Sequence, residues 1–222
     1  MFQPSTLNFL KQLAKNNNKV WLDENRNNYL AAKNDFENFV SSLIKKVSLF
    51  DEDIKELQAK DCTFRLNRDI RFSKDKTPYK INMGASINRG GKKSLYAGYY
   101  FHLEPGNKSF AAGGLWMPMA PELKKVRQEI DYNLDEFVGI LNNKKFINHY
   151  TALEITDDVK LINLPRGYEK TNPAAEYLKL KSFIATKPVS DAELTSPSLI
   201  NSTSKAFEAL MPFIKFLNKA LE

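Results

Sequence analysis

The middle of the chain alternates with a period of two, and that pattern constrains the fold more than any other feature. Ile81, Met83, Ala85 and Ile87 alternate with Asn82, Gly84, Ser86 and Asn88. Leu95, Ala97, Tyr99, Phe101 and Leu103 alternate with Tyr96, Gly98, Tyr100 and His102. Successive side chains on a strand point to opposite faces, so each run predicts a strand with one face on a core. Cys62, Phe64 and Leu66 alternate with Thr63 and Arg65 and predict a further strand before them. Ser109 to Trp116 predicts another, ending near Gly113-Gly114. The connections contain Gly90-Gly91 and Pro105-Gly106, which fit hairpin turns.

Both flanks read as helix. Leu7, Leu10 and Leu13 give a helical spacing from Pro4 to Asn16, and Asn16-Asn17-Asn18 ends it. Phe36, Val40, Leu43, Ile44 and Val47 form one apolar stripe of a longer helix expected from about Asp23 to Val47. Lys33, Asn34, Glu37, Asn38 and Lys45 fall on its other side and read as solvated. After the sheet, Pro121 suits a first helical position. Asn133 with Glu136 predicts a capping box for a helix through Leu141. Val159 to Leu164 predicts a short strand, and Pro173 to Leu180 a short helix. Thr203 to Leu221 is amphipathic, and Pro212 inside it predicts a kink or a split. The expected class is α+β: an antiparallel meander packed by N-terminal and C-terminal helices. A single domain is expected over 1–222, helical in 1–60, sheet in 61–117, and helical with a short strand in 118–222.

The 222 residues, 42% hydrophobic and 27% charged, exclude a disordered, collagenous or disulfide-rich chain. Cys62 is the only cysteine, so no intrachain disulfide forms, which suits a reducing compartment. Met1-Phe2-Gln3-Pro4-Ser5 lacks a basic segment followed by an apolar run, so no signal peptide is expected. No stretch reaches the ~18 apolar residues of a membrane span. A soluble, cytoplasmic protein is expected, with no membrane partner.

The net charge of +7 is concentrated. Residues 112–222 hold 14 basic and 14 acidic residues, so the excess lies upstream. Segment 64–93 carries nine basic residues against Asp69 and Asp75, which accounts for it. Arg65, Arg68 and Arg71 are spaced by three, in a chain with seven arginines and 26 lysines. A guanidinium fork matches phosphate or carboxylate bidentately, which a lysine does not. Two readings follow. In one, the segment is an anion site built from Arg65, Asn67, Arg68, Asp69, Arg71, Lys76, Tyr79 and Lys80, with Lys74, Ser73 and Thr77 nearby. In the other, Arg68–Asp69 or Arg71–Asp75 pairs pin an irregular loop. Arg127, on an early turn of its helix, gains nothing from the macrodipole and joins the candidate anion ligands.

The run from Phe64 to Lys80, FRLNRDIRFSKDKTPYK, is not generic. Together with Asn16-Asn17-Asn18 and Trp21, Gly98-Tyr99-Tyr100, Gly113 to Pro118, Arg127 and Pro165-Arg166-Gly167-Tyr168, it resembles the uncharacterised bacterial domain of unknown function family 2461. The resemblance implies a single α+β domain and no established activity. The family pattern often has a histidine before the proline that is Pro173 here; this chain has Asn172, so no role is carried to that position.

The face of the sheet turned from the core is expected to display Arg65, Asn82, Gly84, Ser86, Tyr96, Gly98, Tyr100 and His102. Its glycines predict a hollow, filled either by a ligand or by a packing helix. His102 and Tyr100 are the candidate acid–base residues. His102, His149 and Cys62 cannot supply a usual zinc set, so no metal site is expected. Gly90 to Ser94 lacks the Walker spacing and reads as a hairpin tip. Nothing identifies a cofactor. Three functions compete. The first is a domain binding a phosphate-bearing or other anionic ligand through Arg65, Arg68, Arg71, Lys76 and Lys80. The second is an enzyme acting on a phosphorylated small molecule or nucleotide. The third is binding of a nucleic-acid backbone, with Tyr96 and Tyr100 stacking on bases.

Overall fold

A computed structural model describes residues 1–222. Three helices open the chain: α1 (Pro4–Lys15), α2 (Lys19–Glu24) and α3 (Arg26–Val47). A short α4 (Ala59–Cys62) leads to β1 (Met83–Asn88), β2 (Gly98–Leu103) and β3 (Ser109–Leu115). Then come α5 (Ala120–Tyr132), α6 (Leu134–Leu141), α7 (Lys144–Tyr150) and α8 (Ala175–Leu178). The chain closes with β4 (Phe183–Val189), α9 (Asp191–Leu194) and α10 (Leu199–Leu221). The architecture is α+β, with one antiparallel sheet in the order β1-β2-β3-β4.

One cluster of 47 buried apolar residues runs from Phe2 to Leu217. The inward positions are Ala85 and Ile87 on β1, Tyr99, Phe101 and Leu103 on β2, and Phe183 and Ala185 on β4. They meet α10, which buries Phe207, Leu210, Phe213, Ile214 and Leu217, and α3, which buries Phe36, Val40, Leu43 and Val47. Phe101 lies against Phe39 of α3 with ring centroids 4.6 Å apart. Asn218 of α10 ties this layer to the sheet by accepting from Ala97 N–H at 2.8 Å and donating to the Ala97 carbonyl at 3.2 Å.

Several expectations are corrected. The strand expected at Cys62–Leu66 does not form: Cys62 ends α4, and Thr63 makes a single bridge to Ala85. The chain pairs instead with its own return, through Lys80 N–H to the Leu66 carbonyl and Arg68 N–H to the Pro78 carbonyl, both 2.9 Å. The helix expected from about Asp23 to Val47 is α3, which starts at Arg26, and a separate α2 precedes it, the two parted at Asn25, whose side chain donates back to the Trp21 carbonyl. The Asn133–Glu136 capping box is absent, because the Asn133 side chain donates to Glu129 at 2.9 Å. The strand expected at Val159–Leu164 is reduced to one bridge, Lys160 with Leu180. Helix α10 is not split at Pro212. Pro212 is exposed, as is Glu208, whose carbonyl the proline leaves without its helical donor. The apolar face of α10 remains packed on both sides of the turn.

Strand β4 was not expected. It lies at the sheet edge, where a proline such as Pro188 is tolerated, and it pairs with β3 from Ser109–Val189 to Leu115–Phe183. No helix is long and apolar enough to cross a membrane.

Candidate functional site

The arginine-rich segment is a braced loop. Arg68 is central to it: its Nη1 donates to the Asp75 carboxylate and the Thr77 hydroxyl, and at 3.3 Å to the Thr77 carbonyl. Its Nη2 reaches Ser73 Oγ at 3.4 Å. Asp75 also accepts from Thr77 N–H at 2.9 Å. That backbone N–H first, then the Arg68 guanidinium and the Thr77 hydroxyl, hold the Asp75 carboxyl at about 2. Arg71 grips Asp69 with two parallel bonds of 2.9 and 2.6 Å. Lys76 donates to the Ile70 carbonyl at 3.0 Å. Asn67 bridges Tyr79, and Tyr79 is buried and held through its backbone by Asn17. Six candidate residues, Asn67, Arg68, Asp69, Arg71, Lys76 and Tyr79, thus bond within or beneath the loop.

Arg127 is elsewhere. Only 9% exposed, it donates from Nη2 to the Leu180 carbonyl at 2.9 Å, and its buried Nε has no partner. Burial lowers its pKa. It lines neither of the two cavities described next.

Arg65, just before the loop, is exposed and pairs with no carboxylate. It opens into a cavity of about 650 Å³ between α3 and the start of β1. Tyr29, Lys33, Phe36 and Glu37 of α3 line one wall, at the i, i+4, i+7, i+8 spacing of a single helix face. Lys60 of α4 and Lys92 and Lys93 of the β1–β2 connection line the other. Gly90 and Gly91 have φ values of 83° and 80°, so that connection turns back tightly and Lys92 N–H reaches the Asp61 carbonyl at 3.0 Å. Five cations, Lys33, Lys60, Arg65, Lys92 and Lys93, therefore face one carboxylate, Glu37. Glu37 stands 3.7 Å from Lys33, and the Lys92 ammonium donates to the Lys60 carbonyl at 2.6 Å. Segment 64–93 marks Arg65, Lys92 and Lys93 in the sequence; Lys33 and Lys60 reach the site only through the fold.

A second concavity covers the outer face of the sheet. Its floor is made of Ser86, Gly98, Ala112 and Gly114, which the register aligns across β1 to β3, and its volume is about 830 Å³. The expected hollow is real but displaced. The Tyr100 hydroxyl lies over Gly84, 2.4 Å from where a Cβ would stand, and Asn88 covers Gly98 in the same way, its Cβ 2.2 Å from that point, so the concavity is lined by Gly98, Gly113 and Gly114 toward the β3 end of the sheet. Gly114 is required by close approach: with φ of 127°, a Cβ there would lie 1.9 Å from the Phe183 carbonyl oxygen.

Tyr100 and His102 are joined. The Tyr100 hydroxyl is 3.2 Å from His102 Nδ1, and His102 Nε2 is 3.1 Å from Glu104. With Nε2–H donating to the carboxylate, Nδ1 accepts from the tyrosine. The imidazole stacks on Phe110 at 4.6 Å. Burial pushes the Tyr100 phenol up to about 12, so it acts as a hydrogen-bond donor at neutral pH. Tyr100 lines the sheet-face cavity, whereas His102 lines neither cavity. No group of three or more His, Cys, Asp or Glu side chains gathers as metal ligands.

The profile of the conserved hypothetical protein family DUF2461 matches residues 5–216, and the chain belongs to that family. No curated protein and no solved structure matches it.

Proposed function

We propose that this member of the DUF2461 family binds a small phosphate-bearing anion in the cavity between α3 and the β1–β2 connection. The observation that carries the reading is the imbalance there: five cations around one carboxylate, in a concavity of about 650 Å³. Cations held in a recess attract an anion more strongly than the same charges on an open surface. Arg65 supplies the bidentate fork, and Lys33, Lys60, Lys92 and Lys93 supply point charges. Tyr29, Phe36 and Met83 offer apolar contact to whatever carries the phosphate. The loop 66–80 supports the site without lining most of it. Arg68 and Arg71 are occupied by Asp75 and Asp69, and Arg65, at the foot of the loop, is left for the ligand.

The test is a melting-temperature panel of phosphate, pyrophosphate, sugar phosphates and mononucleotides at low and moderate salt. A ligand at ~100 times its dissociation constant adds about 2.7 kcal/mol. The reading expects stabilisation by at least one phosphate compound, lost in Arg65→Ala/Lys93→Ala. Equal shifts in that variant, or none in either protein, would overturn it.

A further inference from the structure

We propose that the groove on the outer face of the sheet binds a short apolar peptide with free ends, extended across the strands from β1 to β4. This goes beyond the anion site, since it concerns a different cavity that shares only Phe64 and Lys92 with it.

Three observations carry the inference. First, the core-facing helices pack on the opposite face, and the groove floor holds the small residues Ser86, Gly98, Ala112 and Gly114 beside the rings of Tyr100 and Phe110. Its volume of about 830 Å³ falls within the usual range of ligand cavities. The exposed Trp116, Met117 and Met119 stand along its rim as apolar walls.

Second, opposite charges stand at opposite edges. On the β1 side, Phe64 N–H bonds the Gly84 carbonyl, and the Lys80 ammonium lies 5.3 Å from the Phe64 ring centroid. Lys80 has no carboxylate partner, and burial, then the neighbouring Arg65, lower its pKa. On the β4 side, Glu154 N–H bonds the Ile184 carbonyl, and its carboxylate accepts from Thr186 at 3.1 Å. Glu122, which also lines the groove, has a buried Oε2 with no hydrogen-bond partner. An orphaned carboxylate oxygen in a recess calls for a donor, and an ammonium group supplies the strongest.

Third, the span fits. Strands lie about 4.8 Å apart, so β1 and β4 are separated by about 14 Å. An extended peptide advances about 3.3 Å per residue, so four or five residues cover β1 to β4, and the side chains of Lys80 and Glu154, whose backbones lie outside β1 and β4, reach in to its two ends. The carboxylate end belongs at Lys80, the ammonium end at Glu122 and Glu154, and the apolar side chains on the floor between them.

The experiment titrates an alanine-, leucine- and phenylalanine-containing pentapeptide, its N-acetylated form and its C-amidated form, read by tryptophan fluorescence and calorimetry. The free peptide is expected to bind, and each blocked form to bind at least about tenfold more weakly. Glu122→Gln/Glu154→Gln removes the penalty for acetylation, and Lys80→Met removes the penalty for amidation. Ala112→Phe fills the floor and abolishes binding; if it melts early, the rim variants carry the test. Absence of binding, or equal affinity for free and blocked peptides, would overturn the proposal. So would loss on amidation alone, which would mark the groove as a carboxylate site. Lys33→Ala/Lys93→Ala, two cations of the anion cavity that do not line the groove, leaves the peptide response unchanged, so failure here and failure of the anion site are read separately.

Discussion

The Arg68 guanidinium is bound to the Asp75 carboxylate inside the loop that both residues close, while Arg65, three positions earlier, meets no carboxylate. Two arginines of one motif therefore differ in their partners, and the proposed anion site assigns them different roles. Arg68→Ala is expected to lower the melting temperature and to leave anion affinity within about twofold. Arg65→Ala is expected to do the reverse, losing about tenfold in affinity, as for a charged hydrogen bond of 1.5 kcal/mol. Paired melting and binding measurements on the two variants check this.

The same pair sets an acid limit. The Asp75 carboxyl lies at about 2 in the folded chain, below its ordinary value near 3.8. A depressed pKa means that the stabilisation is complete above the unfolded value and is lost as pH falls through the folded one. Amide exchange of residues 66–80 should therefore accelerate between about pH 4 and pH 2, and Asp75→Asn should show fast exchange already at neutral pH.

Much of this architecture was legible in the residues, and what was not has identifiable causes. Strands β1 and β2 announced themselves because each alternates along its sequence, whereas β3, Ser109–Leu115, was expected without such alternation. Strand β4 carries Lys187-Pro188 and finds its partner, β3, about 70 residues upstream, so its short alternation had no local support. The segment after Cys62 alternates as a strand does, yet its hydrogen bonds close onto residues 78–80. The site divides in the same way. Arg65, Lys92 and Lys93 lie in the visibly basic segment. Lys33 reads as the solvated side of α3, and only the packing of α4 and the β1–β2 connection beside that helix turns it into a cavity wall. The spacing of Arg68 and Arg71 signalled anion binding, but the anions they meet are Asp75 and Asp69 of the same loop.

Cys62 should be chemically silent in the folded protein. It is fully buried, and burial, then Asp61, push its thiol up to about 12. A thiol-specific reagent at pH 8 should label it only after denaturation, because the thiolate is the reactive form. Rapid labelling of the native protein would contradict the placement of α4.

Behind the sheet, the Tyr99 hydroxyl donates to Asp51 at 2.8 Å, and Asp51, itself buried, also lies 3.1 Å from the Lys215 ammonium. Asp51→Ala strands a buried hydroxyl and should cost about 2 kcal/mol in a denaturant titration. Asp51→Asn, which keeps an acceptor for Tyr99, should cost less.

The most direct measurement is a calorimetric titration of pyrophosphate into the wild-type protein and into Arg65→Ala/Lys93→Ala. The account predicts saturable binding at one site in the wild type, affinity at least about tenfold weaker in the variant, and the same melting temperature for both unliganded proteins. Equal binding heats in the two proteins would show that the cavity between α3 and the β1–β2 connection is not the anion site.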